Sequence, residues 1–148
     1  MIKKLLETND DITGFVLRVL LGVVMFPHGA QKLLGWFGGY GFSGTMGFFT
    51  GKLGIPAVFV FLVIMSEFFG SLALIAGAIT RLAAFGVGCV MLGATLMVHL
   101  PHGFFMNWAG KQQGEGFEFH LLAMAIAVAL MIIGGGRWSI DGLLTKEE

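Results

Sequence analysis

Apolar residues fall into four long runs, at about residues 12–34, 56–79, 82–100 and 117–133, and the charged residues gather mainly in the segments between them. A helix of roughly 20 apolar residues spans the hydrocarbon core of a bilayer. The pattern therefore predicts an all-α integral membrane protein, a four-transmembrane-helix bundle forming a single domain over residues 1–148. The second and third runs are joined by a tight turn, GAITRL. The other two connections are longer: GWFGGYGFSGTMGFFTGKLG alternates glycine with aromatic residues, and PHGFFMNWAGKQQGEG follows the third run. Both are expected to lie on or re-enter one membrane face, covered by protein rather than lipid. Trp36, Tyr40 and Trp108 suit the aromatic belt at the headgroup boundary.

Composition supports this choice of solvent. Hydrophobic residues make up 56% of the 148 and charged residues 12%, where a soluble domain carries about 25% charged residues. The partners expected first are thus membrane lipids. Net charge is zero and no basic block suggests nucleic acid. The lone Cys89 excludes an intramolecular disulfide or an in-chain CxxC pair. MIKKLLETNDDITGF lacks the apolar core and small-residue site of a cleaved signal peptide, so the first run is expected to remain as a span. Lys3, Lys4, Arg81, Arg137 and Lys146 fall on one side of a four-span layout, and Lys32, Lys52 and Lys111 on the other. This bias favours both termini in the cytoplasm.

Two charges interrupt the apolar runs. Arg18 lies about two turns into the first and Glu67 near the middle of the second. Each costs roughly 2.5–3.5 kcal/mol at a helix centre on insertion scales, which flanking Leu, Val and Phe offset, but each still needs a partner. One reading is structural: an Arg18–Glu67 ion pair, or a protonated Glu67 hydrogen-bonded inside the bundle. The other is functional, with Arg18 and Glu67 handling protons.

The triplet Pro-His-Gly occurs twice, at 27–29 and 101–103, each time at the far end of an apolar run. Outside the triplets the two halves do not align well; Arg18 meets Leu92, and Lys32 meets Met106. On a straight helix Lys32 lies about 40° and His28 about 80° from Arg18, so all three share one face. Pro27 removes a backbone donor and bends the helix. On the third run Thr95, His99 and His102 are spaced toward one face. Glu118 and His120 are about 200° apart at the start of the fourth, so only one is expected to face the bundle. Proline breaks the helix where a polar pocket begins, and histidine lines it. The pocket gathers His28, Gln31, Lys32, His99, His102, Asn107 and Glu118, joined by His120 if that is the residue facing the bundle.

No HxxxH or ExxH spacing supports a metal site, and no Ser or Cys stands beside a His as a nucleophile. Donors beside Phe, Trp and Met walls at a membrane interface suit a quinone head group, whose carbonyls need donors and whose redox chemistry needs a proton path. The same surface suits a lipid head group or a partner subunit, and these alternatives stay open on the residues alone.

Four stretches resemble the DoxX family of small four-helix membrane proteins: LRVLLGVVMFPHGAQKLLGWFGG, EFFGSLALIAGAITRLAAFG, VHLPHGFFMNW and GFEFHLLAMAIAVALMIIGGGRWSIDGLL. The most specific features are an Arg inside the first helix, then HGxxK, and a terminal R-x-S-[IL]-D matched by Arg137, Ser139 and Asp141. The resemblance implies a bacterial inner-membrane protein with a quinone-linked role. The family takes its name from a subunit of a membrane oxidoreductase that passes electrons from a sulfur compound to quinone. A quinone-binding subunit of, or partner to, such a complex is the leading expectation. Arg18 and Glu67 then stand at the centre, with His28, Lys32, His99, His102, Asn107 and Glu118 toward the cofactor. The alternative is a structural, lipid-binding or transporter-like membrane protein without redox activity. A homo-oligomer fits either reading.

Overall fold

The computed structural model describes residues 2–146, with the side chains of 3–145, so the Lys146 side chain invoked for orientation lies outside the described residues. Among these residues the structure is helical, without strands: α1 (Ile2–Leu6), α2 (Ile12–Leu33), α3 (Gly41–Gly51), α4 (Ala57–Ala76), α5 (Thr80–Ala94), α6 (Glu118–Ile133) and α7 (Ile140–Lys146). A π-helical turn, Thr95–His99, and a 3-10 turn, Leu100–His102, extend α5. Three segments are long and apolar enough to cross a bilayer: Ile12–Leu33, Ala57–Ala76 and Thr80–His102. The fourth apolar helix, α6, is shorter at 16 residues, or about 24 Å, because it gives way to the glycines at 134–136. The protein is a helical membrane bundle.

What faces outward confirms the solvent. Leu20, Val23, Phe59, Phe69, Phe85, Leu122 and Ile132 are all exposed along the helices, an arrangement that water would penalise and lipid does not. The interior is small and tightly packed: Leu21, Met25, Leu74, Ala84, Val87, Met91, Ala127 and Leu130 form one cluster. With no hydrophobic drive between helices in lipid, close approach has to come from small residues. α2 crosses α4 on Gly22 and Gly29, where an added Cβ would stand 2.8 Å from the Ser71 carbonyl oxygen and 2.5 Å from the Phe68 nitrogen. α5 packs on α6 with Gly88 beside Ala127. The short α3 lies against α2 and α4 at the end away from the termini.

The two Pro-His-Gly copies are used differently. Pro101 stands in the 3-10 turn that terminates α5, as expected. Pro27, by contrast, lies inside α2, which continues through it to Leu33. Proline therefore ends one helix and not the other. In the first copy the working residue is Gly29, which lets α2 touch the α4 backbone.

Candidate functional site

At the loop end, the Gly29 contact sets everything near it. Because α2 lies directly on α4 there, Lys32, three residues further on, reaches Glu67, and Lys32 Nζ meets Glu67 Oε2 at 2.5 Å. The Glu67 side chain is 4% exposed and that of Lys32 21%, so the carboxylate is buried and the ammonium half emerges. Buried Thr45 of α3 donates its hydroxyl to the Lys32 carbonyl at 3.2 Å, satisfying one of the acceptors left open near the end of α2. Lys32 and Glu67 thus meet as expected site residues, but with each other.

Beside this pair stands a group of three histidines. The π turn at the end of α5 carries His99 toward α6, and its ring centroid lies 4.0 Å from that of His120. His99 Nδ1 is 2.8 Å from the Glu115 carbonyl oxygen. His120 is only 7% exposed, and its Nδ1 is buried with no hydrogen-bond partner. His28, on the exposed flank of α2, has its ring 6.3 Å from that of Phe119. It lies within electrostatic reach of Lys32 and Glu67 on one side and of His120 on the other. Insertions of a π turn into α-helices occur frequently at functional sites, and this one aims a histidine.

Other expected site residues are placed elsewhere. Glu118 turns back to the loop, where Oε1 accepts from the Met106 nitrogen at 2.8 Å and from Trp108 Nε1 at 3.2 Å. Asn107 exchanges hydrogen bonds with the Gln112 backbone, and its own nitrogen donates to Glu115 Oε2. His102 packs on Gly114, where a Cβ would come 2.5 Å from His102 Nε2. These three side chains brace the segment over residues 103–117. Of the two candidates at the start of α6, the one facing the bundle is His120, which the sequence left undecided.

The termini end is organised around Arg18, and here the structure corrects the expected Arg18–Glu67 pair. Arg18 is 1% exposed, and its partners are backbone carbonyls. Nε donates to Gly135 at 2.8 Å, Nη1 to Leu74 and Ile75 at 3.1 and 2.5 Å, and Nη2 to Arg137 and Trp138 at 3.2 and 2.9 Å. A guanidinium has five N–H donors, and all five are used. Two of the acceptors belong to the last turn of α4, where carbonyls lack intrahelical partners and the helix dipole is negative. The other three follow α6. Arg18 thus ties the ends of two helices to a third, which explains its tolerance of the membrane interior. Gly77 is required beneath it: its φ is 70°, and a Cβ would stand 2.9 Å from the Arg18 guanidinium carbon.

Asp141 completes this end. Its two oxygens accept from the backbone nitrogens of Ile79 and Thr80, at 2.6 and 2.8 Å, capping the start of α5 from a distant segment. Ser139 donates to the Gly136 carbonyl at 2.7 Å and accepts from the Gly142 nitrogen at 3.0 Å, folding the first turn of α7. An open cleft of about 270 Å³ lies on this face, between Thr8, Asp10 and Arg137. It is lined by residues of the termini end and lies away from the histidines.

Among the described residues no group of three or more His, Cys, Asp or Glu is placed to hold a metal ion. The family model for DoxX matches residues 14–100, more than half of the chain. The chain belongs to the DoxX family. Two relatives match nearly end to end. One, from Bacillus subtilis (strain 168), bears the name "Putative oxidoreductase CatD" and is 26% identical over 141 residues, 95% of this chain and 93% of that protein. The other is "Inner membrane protein YqjF" of Escherichia coli (strain K12), 31% identical over 139 residues, 93% of this chain and 96% of the relative. No solved structure matches. The DoxX match contains Arg18, His28, Lys32, Glu67 and His99, whereas His120 and the Arg137–Asp141 segment lie beyond it. The two ends of this DoxX bundle are thus each completed by the C-terminal third of the chain.

Proposed function

We propose that this DoxX protein binds a quinone head group at the loop end of the bundle and serves as a membrane subunit of, or partner to, an oxidoreductase complex. It does so in the bacterial inner membrane with both termini cytoplasmic. One observation carries the reading: His120 Nδ1 is buried and unpartnered. An unsatisfied buried polar atom costs about 1–3 kcal/mol, and a head group hydrogen-bonded to His120 would offset that cost. Depending on tautomer, an imidazole nitrogen donates to a quinone carbonyl or accepts from a quinol hydroxyl. His99 and His28 flank it and Phe119 supplies an aromatic wall. Bound there, a quinone would supply two-electron redox chemistry coupled to protons. The side chains would orient its oxygens and exchange those protons, with Lys32 and Glu67 as the nearby charged pair. In this reading a partner exchanges electrons with the quinone. The name of the Bacillus subtilis relative and the inner-membrane name of the Escherichia coli relative agree with this reading.

The test is extraction of the detergent-purified protein with organic solvent and mass spectrometry for quinones, with haem and flavin absorbance scanned on the same sample. The expected result is stoichiometric quinone in the wild type and its loss in His120→Phe and His99→Phe. A preparation holding only phospholipid would favour the structural or lipid-binding alternative.

A further inference from the structure

Glu67 sits ten residues from the start of α4, at the level where Gly29 packs on it, with its side chain 4% exposed. A buried carboxyl group that exchanges a proton needs a path by which it arrives. Around Glu67 and toward the loop face the structure gathers titratable groups from three further helices. Lys32 touches Glu67 directly. His28 stands one turn before Lys32 on α2, with its ring 6.3 Å from that of Phe119, whose own ring lies 5.4 Å from that of His120. His99 stacks on His120 at 4.0 Å, and its other contact is the carbonyl of exposed Glu115. α3 contributes only Thr45, through the Lys32 carbonyl.

In the opposite direction these groups stop. The next polar side chain on α4, Ser71, is fully buried and spends its hydroxyl on the Phe68 carbonyl at 2.7 Å. Around and below it lie Leu21, Met25 and Leu74, each 3% exposed or less. Then comes Arg18, whose five donors are occupied by carbonyls and whose guanidinium does not give up its proton in proteins. A fixed cation with no free donor blocks proton passage and repels an arriving proton.

We propose that Glu67, Lys32, His28, His120 and His99 form a one-sided proton path, open to the loop face, ending at Glu67 and closed toward the termini by the Arg18 clamp. Histidine exchanges protons near neutral pH, and intramembrane carboxylates commonly mark proton relays. Protonation of Glu67 releases the Lys32 ammonium from its partner, so arrival of a proton at mid-membrane frees a cation beside the histidines. The path does not require the ligand to be a quinone: a failed quinone assay leaves it standing, and a failed path leaves quinone binding standing.

The test uses the full chain reconstituted into proteoliposomes in one orientation, read from which terminal tag a protease removes. Dicyclohexylcarbodiimide, a lipid-soluble reagent that adds to protonated carboxyl groups, is applied with the pH of each face set separately. Peptide mass spectrometry then reports modification at Glu67, and Glu67→Gln confirms the assignment. Acidifying the loop side should raise Glu67 modification several-fold, and acidifying the termini side should leave it unchanged. Paired replacement of His28 and His120 by Phe should slow the loop-side response several-fold while the protein stays folded. Modification that follows the termini side, ignores pH on both sides, or proceeds at the same rate without the two histidines would overturn the proposal.

Discussion

The two ends of the bundle treat their buried ionisable groups differently, although a buried hydroxyl at the termini end, Thr80 Oγ1, lacks a hydrogen-bond partner just as His120 Nδ1 does at the loop end. At the termini end every polar atom of Arg18 and both carboxylate oxygens of Asp141 are satisfied, mostly by backbone. At the loop end a buried imidazole nitrogen has no partner, two histidine rings are stacked, and an ion pair is half open. Both ends are expensive to place in a membrane. The first offsets that cost with helix-to-helix ties, so Arg18 and Asp141 are structural. The second does not, so its polar residues call for a ligand or a proton. Burial alone would have classed Arg18 and His120 together; hydrogen-bond satisfaction separates them.

Breaking the termini end should have the largest effect. Arg18→Leu leaves five carbonyls without donors, at about 1–3 kcal/mol for each one that stays buried, and should abolish folding, seen as loss of the monodisperse peak in detergent chromatography. Arg18→Lys should rescue little, because an ammonium has three donors on one point rather than a planar fork. A folded and stable Arg18→Leu protein would contradict the structural assignment.

At the loop end, Glu67→Gln strands Lys32. Removing one partner of a buried pair costs about 3–5 kcal/mol, and the half-exposed Lys32 places this case toward the low end. Lys32→Met combined with Glu67→Leu should recover much of that loss in a thermal double-mutant cycle, since the pair then leaves no orphan charge. Gly29→Ala, which drives a Cβ into the α4 backbone, should also lower the thermal midpoint, and with it the Lys32–Glu67 contact. Asp141→Asn keeps the shape but loses a charged cap, for about 1 kcal/mol, measurable as a modest fall in midpoint. The smallest effect on stability belongs to His120→Phe. It removes an unpaired polar atom and should leave the protein as stable as wild type or more so, while ligand binding is lost.

Three long apolar helices, the helical class and the family were legible because lipid imposes length and apolarity on each spanning helix. Arg18 was legible as an anomaly but not as a clamp, since its partners are carbonyls, which every residue carries and no side-chain pattern reveals. That is also why pairing it with Glu67 looked reasonable and failed. Lys32 was recognised on the right face of α2, yet its contact with Glu67 depends on how closely Gly29 lets two helices approach. At the start of α6 the angle between Glu118 and His120 showed that one must face inward. Choosing between them needed the loop that Glu118 holds. Asn107 and His102 share that reason: their partners, Gln112 and Gly114, lie in an irregular segment without periodicity. The π turn that delivers His99 to His120 leaves no signature in residue spacing.

The most direct test of the difference between the ends is the thermal midpoint of wild type and His120→Phe, each with and without an added short-chain quinone. A ligand that binds only the folded state raises the midpoint. The account predicts a rise for wild type, and for His120→Phe no rise from a baseline at or above that of wild type. A His120→Phe protein that responds to quinone like wild type, or whose baseline collapses as Arg18→Leu should, would contradict it.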